Sequence, residues 1–408
     1  MYFILYEGVI SKMDLFNKCF EYKLATDIKE VGLYPYFHQI TGKQNSTVQM
    51  QGKETIMLGS NNYLGLTSHP KVIEETVKAV EKYGSGVSGS RFLNGTLDLH
   101  VNLEKELAEF LEKEDALVFS TGFQANLSII SALVGRHDYI LSDKENHASI
   151  YDACKLSWGK MLRYNHSDMA DLEKQLQSVP DGFGKLIVTD GVFSMTGAIA
   201  NLPEIVKLAK KYNARVMVDD AHGFGTLGKT GKGTADHFRL TKEVDIIMGT
   251  FSKSLASLGG YMAGDAKIVD FVRHNARPFI FSAAIPAANA ASALSALRIL
   301  KAEPERVAKV NEIANYAREQ LSARGIRIIP STSPIIPIHI GDLQETFVVC
   351  NALLKAGVYA NPVIPPATPP GESLIRTSYT ALNTKEIIDK AVTIIDNVLE
   401  GIKSSKQQ

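Results

Sequence analysis

An amine placed where a buried strand gives way to a turn of small polar residues can do carbonyl chemistry, and Lys253 occupies such a place. The apolar run Ile246-Ile-Met248 reads as the end of a strand, and Gly249-Thr-Phe-Ser252 reads as the turn leaving it, crowded with backbone and hydroxyl donors that suit an anion. Desolvation and neighbouring positive charge favour the neutral, nucleophilic amine, so a Schiff base with a carbonyl cofactor is the chemistry this lysine supports. A lone lysine in a serine-containing loop is more often a solvated surface residue. The functional reading therefore needs partners elsewhere in the chain.

Several candidates fall just after strand-like runs. They are His147, Asp190, Ser194, and Asp219 with His222 in Asp219-Asp-Ala-His222. In Leu374-Ile-Arg-Thr-Ser378, Arg376 interrupts a β-like segment. Such an arginine usually marks a solvent face, yet a bidentate clamp on a carboxylate is the use that requires this residue type. Asn61, in Gly59-Ser-Asn-Asn-Tyr-Leu-Gly-Leu66, either turns the backbone or offers its amide to a carboxylate. Thr121-Gly-Phe-Gln-Ala-Asn126 opens a helix directly after the strand-like Ala116-Leu-Val-Phe-Ser120, the strand, glycine and helix N-terminus arrangement that binds phosphate.

These residues need a scaffold, and 408 residues suffice for a large core and more than one domain. Lys+Arg and Asp+Glu are both 44, so charge makes no case for nucleic acid. Cys19, Cys154 and Cys350 are isolated, which supports neither a disulfide framework nor a metal site and fits a cytoplasmic location. The opening Met1–Ile10 is apolar but short, is broken by Glu7 and lacks a basic n-region, so it reads as part of an arm. Helical spacing over 11–30 extends that arm, and a hairpin turning at Gln51-Gly-Lys53 follows it. Helices are predicted from Pro70 to Tyr83 and over 98–112, flanking a Gly/Ser cluster at 84–96. From Tyr139 to Gly249, short strands without polar alternation are separated by helical stretches, which predicts a mostly parallel α/β sheet covered on both faces. Ligands in such folds sit beyond the carboxyl ends of the strands, where the candidates fall. After about residue 290 the pattern becomes a compact α+β unit containing the stiff loop Asn361–Gly371. The expected division is an arm and hairpin at 1–59, a large cofactor-binding domain at 60–290 and a C-terminal α+β domain at 291–408.

Gly223-Phe-Gly-Thr-Leu-Gly228 is a literal GxGxxG, and Gly223 to Thr230 a literal GxxxxGK[ST]. Both motifs need a helix to begin at the glycines. Gly231 and Gly233 follow at once, each disfavouring a helix by about 1 kcal/mol. A P-loop nucleotide-binding protein is therefore a remote alternative, and a glycine-rich loop the better account.

Taken in order, Ser60–Leu66, Thr121-Gly-Phe123, Asn146-His-Ala-Ser149, Asp190-Gly-Val-Phe-Ser194, Val218-Asp-Asp-Ala-His222, Gly249-Thr-Phe-Ser-Lys253 and Leu374-Ile-Arg376 resemble the α-oxoamine synthases. These are pyridoxal 5'-phosphate enzymes of the aspartate-aminotransferase-like fold type I. The resemblance implies that Lys253 attaches the cofactor, Asp219 pairs with its pyridine nitrogen, His147 stacks on its ring, and His222 with Ser194 contacts its phenolic oxygen. It implies further that Gly122, Phe123, Thr250 and Ser252 hold the phosphate, with Ser282 reaching it from the neighbouring subunit of a homodimer that shares active sites. Asn61, Ser90 and Arg376 are the implied substrate contacts, and no metal is implied. Gly89–Thr96, Thr250–Ser257 and Pro365–Pro369 are most similar to members that condense L-serine with a long-chain acyl-CoA such as palmitoyl-CoA. The implied products are 3-ketodihydrosphingosine, CO2 and CoA, with Lys253 as the base. Glycine C-acetyltransferase and 8-amino-7-oxononanoate synthase are the alternatives within the family. Gly86-Val-Ser88 departs from the Cys-Ala expected there, a difference that bears on acyl-chain length. An amphiphilic acyl donor also implies transient contact with a membrane surface, which the apolar arm could assist.

Overall fold

A computed structural model describes residues 14–406, so the apolar opening Met1–Ile10 lies outside the described residues. In chain order the strands are β1 (Ile40–Thr41), β2 (Thr47–Met50), β3 (Lys53–Met57), β4 (Asp115–Phe119), β5 (Asp138–Asp143), β6 (Lys160–Tyr164), β7 (Gly184–Asp190), β8 (Arg215–Asp219), β9 (Ile246–Thr250) and β10 (Gly260–Gly264). The C-terminal part adds β11 (Ile335–Gly341), β12 (Val358–Tyr359), β13 (Asn361–Val363) and β14 (Ser373–Ser378).

The central sheet has the order β4-β10-β9-β8-β7-β5-β6. Strands β5 to β9 pair in parallel, as the unalternating apolar runs predict. Every residue of β9 and β10 is buried, and so is all of β8 beyond Arg215, because helices cover both faces. One strand departs from the pattern. Running antiparallel to both β4 and β9, β10 begins and ends with glycine and carries no β-branched residue, so its sequence gave no strand signal.

The N-terminal hairpin forms as expected between β2 and β3. Both of its turn residues, Gln51 (φ 51°) and Gly52 (φ 76°), lie in the left-handed region that a two-residue hairpin turn demands. Before it, the predicted 11–30 helix is observed only as two short pieces, Asn17–Phe20 and Leu24–Glu30, with no buried residue in either. Helices are observed at Pro70–Tyr83 and Asp98–Phe110, the first with Pro70 at its opening position.

Apolar cores lie on both faces of the central sheet, one of them built on Ile130, Ile140, Val188 and Met262, and a separate core fills the C-terminal part. The largest takes in Leu141, Ile187, Val218 and Ile247 from the sheet, together with Leu294, Leu297 and Leu300 of the helix Ala287–Ala302. The C-terminal core joins Ile313, Leu321, Ile338, Ile375 and Ile395 to Ile56 and Leu58. The expected boundary at 290 thus falls inside a helix whose apolar face belongs to the large core. On the other side, β3 is stitched to the C-terminal unit through its parallel pairing with β12. The sequence pattern marked where helices begin; it did not show which core each one fills.

Candidate active site

Parallel register aligns the carboxyl ends of neighbouring strands, so it decides which side chains meet. Asp190, the last residue of β7, lies opposite Asp219, the last of β8, and Asp219 lies opposite Met248 of β9. Beyond these ends is a cavity of about 270 Å³ whose lining includes His147, Asp190, Asp219, His222 and Lys253, with Thr250 and Ser252 on one side. The N-terminal residues of the helix Gly122–Leu133 close it, with the Thr121 side chain accepting from Gln124 N at 3.0 Å. The first N–H groups of such a helix have no carbonyl in a preceding turn to bond, and they carry the positive end of its dipole. Close approach there requires glycine. A Cβ on Gly260 would lie 2.7 Å from Gly122 Cα and 2.8 Å from Thr121 O.

Burial sets the charge states. It lowers the Lys253 amine from 10.5 to about 8, against the pull of Asp219 and Asp190, which favour the ammonium. Asp190 is pushed well above the usual carboxylate range by burial and then by the charge of Asp219 beside it. His222 falls well below the usual imidazole value through burial, aided by the positive charges of Lys253 and Arg376. Burial also lowers His147, against the opposing pull of Asp219.

A buried chain of hydrogen bonds joins two of the candidates. Asn126, fully buried on the helix Gly122–Leu133, donates from Nδ2 to Asp219 Oδ2 at 2.7 Å and to Ser149 Oγ at 2.8 Å. Ser149 N donates to His147 Nδ1 at 3.2 Å, which makes that nitrogen an acceptor, so the Ser149 hydroxyl at 2.7 Å donates to it as well. The remaining proton of a neutral His147 is therefore on Nε2. Asp219 Oδ1 accepts from Ala221 N at 3.0 Å, which leaves the carboxylate capacity for a further donor from the cavity.

Arg376 lies in a second cluster behind this one, buried and off the cavity lining. Its Nε donates to Ser194 O at 2.5 Å and its Nη2 to Asn61 Oδ1 at 2.9 Å, while Nη2 and Tyr63 Oη are 3.4 Å apart. Tyr63 Oη in turn lies 2.7 Å from His222 Nδ1. Most of the guanidinium is thus engaged by the protein itself in this structure. Ser194 takes part here through its main-chain carbonyl; its side chain does not line the cavity. Ser90 is buried in a bridge with Ala283, next to Ser282, and neither serine lines the cavity of its own chain. Sequence reasoning passed over Asn126 and Tyr63 as functional, although both stand inside motifs it quoted or adjoined.

Two other features carry no site of this kind. The glycines of 223–233 form turns, with a helix beginning only at Thr234, and a Cβ on Gly223 or Gly233 would strike the buried Asp220 carboxylate. Asp220 itself is pushed up to about 7 by burial and accepts from Thr234 N and Oγ1. A larger groove of about 770 Å³ runs past Arg91 and Arg273, but the acids Glu104 and Asp115 pair these arginines, and no sequence-predicted site residue lines it. Among the described residues no cluster could hold a metal ion.

The family described as Aminotransferase class I and II matches residues 53–395. The chain belongs to that family. Among class I and II aminotransferase relatives it is 54% identical to a serine palmitoyltransferase of Bacteroides ovatus, over 92% of this chain and 95% of the relative. It is 43% identical to an 8-amino-7-oxononanoate synthase of Bacillus pumilus, over 90% and 94% of the two chains. A solved serine palmitoyltransferase of S. paucimobilis, described with a bound PLP-myriocin aldimine, superposes with a TM-score of 0.92 at 35% identity, covering 96% of this chain and all of that one. Within the aminotransferase class, these relatives place the chain among the α-oxoamine synthases.

Proposed function

We propose that this chain condenses L-serine with a long-chain acyl-CoA, palmitoyl-CoA in the simplest case, to give 3-ketodihydrosphingosine, CO2 and CoA with pyridoxal 5'-phosphate as cofactor. The observation that carries the reading is a buried amine, Lys253, sharing one cavity with the strand-end carboxylate Asp219 and the desolvated imidazoles of His147 and His222. The residues fit the cofactor. Asp219 has acceptor capacity left for a pyridinium N–H, and a helix N-terminus with a Cβ-free Gly122, flanked by the Thr250 and Ser252 hydroxyls, suits a phosphate. When bound, the cofactor supplies an electrophilic carbonyl and a ring that accepts the electrons of a bond broken at the amino-acid α-carbon.

The chain's own residues do the rest. Lys253 attaches the cofactor and, once displaced by the amino acid, receives the α-proton on Nζ; an amine titrating near 8 can take up and return that proton near neutrality. Asp219, held in place by Asn126, would keep the ring nitrogen of the bound cofactor protonated. With the cofactor bound, His147 would cover the ring and His222 would meet its phenolic oxygen; both line the cavity. Arg376 and Asn61 hold the serine carboxylate, a step that requires Arg376 to exchange some of its present partners; Ser90, the third substrate contact of the proposal, sits away from them in its bridge with Ala283. Ser282, next to the exposed Phe281, reaches the phosphate of a second copy, so the working unit is a homodimer. We assign the enzyme to the cytoplasm. No helix among the described residues is long and apolar enough to cross a membrane, and the exposed Phe16 and Phe20 of the arm support transient contact with a membrane surface where the acyl donor partitions.

Incubating the purified protein with pyridoxal phosphate, palmitoyl-CoA and each of L-serine, glycine and L-alanine tests the reading. Serine should give the C18 ketone with release of CO2 and CoA. Product from glycine alone, or from alanine with a shorter dicarboxylic thioester, would transfer the chain to one of the sister activities.

A further inference from the structure

We propose that Tyr63 is a positioning residue of this site, whose hydroxyl carries the hydrogen-bonding influence of Arg376 to His222 and makes the imidazole present an N–H to the cavity. The inference rests on the functional reading above only for its consequence, not for its geometry.

Tyr63 is fully buried, and its oxygen has three polar neighbours: His222 Nδ1 at 2.7 Å, Asn61 Oδ1 at 3.3 Å and Arg376 Nη2 at 3.4 Å. A phenol has one proton to give, and a guanidinium only donates. The Tyr63 proton must therefore go to His222 or to Asn61. Asn61 Oδ1 already accepts from Arg376 Nη2 at 2.9 Å, and the His222 contact is the shorter of the two. The shorter contact takes the proton: with Arg376 donating to Tyr63, Tyr63 donates to His222 Nδ1 rather than to the more distant Asn61 Oδ1, and a neutral His222 then holds its proton on Nε2. Burial raises the Tyr63 phenol and lowers the His222 imidazole, so both groups remain neutral, as this order needs.

The relay is anchored at both ends. Tyr63 N bonds to Asn61 O at 2.8 Å, and Ala381 N, just beyond β14, bonds to Tyr63 O at 2.8 Å. The loop that carries the phenol is therefore tied to the segment following the strand that carries the guanidinium. The Tyr63 ring meets the His222 ring edge to face, with centroids 6.0 Å apart. A carboxylate arriving at Arg376 would compete for the Nη2 protons that Tyr63 and Asn61 now share. Occupancy at the carboxylate position would then weaken the polarisation of Tyr63 and change the donor strength of His222. Amino-acid binding and the His222 contact become one coupled event.

The test uses full-length protein labelled with 15N-histidine, read by NMR first without cofactor and then with pyridoxal phosphate. Wild-type protein should show His222 as the Nε2–H tautomer in both states, and Tyr63→Phe, which keeps the ring, should shift it toward Nδ1–H. Tyr379→Phe, which removes a different buried hydroxyl that bonds Thr377, should leave His222 unchanged. In the loaded protein, Tyr63→Phe should displace the pH titration of the visible absorbance band and raise the serine KM several-fold, whereas Tyr379→Phe should do neither. An Nδ1–H tautomer in the wild type, or an Nε2–H tautomer that persists in Tyr63→Phe, would overturn the proposal. Absence of any visible band on adding pyridoxal phosphate would instead refute the functional reading, with the cofactor-free spectra still deciding the role of Tyr63.

Discussion

The Lys253 amine offers the most direct test of the electrostatics. With its pKa lowered to about 8, about a quarter of the amine is neutral at pH 7.5, against about one part in a thousand for an amine at the ordinary 10.5. That gives roughly a 200-fold gain in the reactive form. A less basic amine is also a weaker nucleophile. A Brønsted slope like that of thiols, applied over the same interval, removes about tenfold and leaves a net advantage on the order of 20-fold. Reductive methylation of cofactor-free protein with formaldehyde and cyanoborohydride, followed residue by residue by peptide mass spectrometry, reads this directly. Lys253 should react well ahead of the exposed Lys207 at pH 7.5, with half-maximal rate near pH 8. Because the charge of Asp219 favours the ammonium, Asp219→Asn should move that midpoint below 8. Stability supplies an independent sign. The folded-state pKa lies below the unfolded one, so between about 8 and 10.5 the unfolded chain binds more protons, and this lysine makes stability rise with pH across that window. A midpoint near 10.5, or one that rises in Asp219→Asn, would refute the reasoning.

Two further perturbations test the scaffold. Arg91 and Glu104 form a doubly bonded pair at 2.7 and 3.0 Å with both side chains over nine-tenths buried, and Glu104 also accepts from Val118 N of β4. Arg91→Met leaves that carboxylate unpaired and should cost about 3 to 5 kcal/mol in urea denaturation; a loss below about 1 kcal/mol would mean that water reaches Glu104. Gly260→Ala drives a Cβ into backbone at Gly122 and Thr121, so the start of the phosphate-facing helix must shift. With circular dichroism unchanged, pyridoxal phosphate affinity should fall at least about tenfold, the loss of some 1.4 kcal/mol of binding, and wild-type affinity would show that the helix start does not bear on the cofactor.

Residues that do chemistry at strand ends were legible because parallel strands without alternation can only be buried on both faces, and their carboxyl ends then share one edge. Lys253, Asp219, His222 and His147 follow from that rule, and the structure brings them to one cavity. The antiparallel β10 was not legible, since Gly260-Tyr-Met-Ala-Gly264 resembles a loop until the close packing of Gly122 against Gly260 explains its glycines. Asn126 was hidden for a different reason. It lies in a helix that also carries Gln124, Ser128 and Ser131, and nothing local distinguishes a buried donor from a polar residue on a solvent face. Arg376 was legible as a residue type but not in its state, because its present partners come from positions 61, 63 and 194.

Asn126 and Arg376 play a similar physical part toward two histidines of the cavity. Each is a buried donor with nothing to accept through the nitrogen it uses, and each bonds to a hydroxyl, Ser149 or Tyr63, that in turn lies 2.7 Å from the Nδ1 of a histidine. Both imidazoles are thereby left with their remaining proton on Nε2, and burial beside Lys253 keeps them neutral. A protonated histidine would donate as well, but it would add its repulsion to Lys253 and to Arg376, holding back the proton uptake on Nζ that the proposed reaction needs. Neutral donors avoid that conflict. The two histidines differ in what secures them: removing the Tyr63 hydroxyl should free His222 to change tautomer, whereas in Ser149→Ala the Ser149 main-chain N–H still holds His147 Nδ1 as an acceptor; removing a charge should instead move the titration of Lys253, and the two classes of variant are separable by histidine NMR and lysine labelling on the same protein.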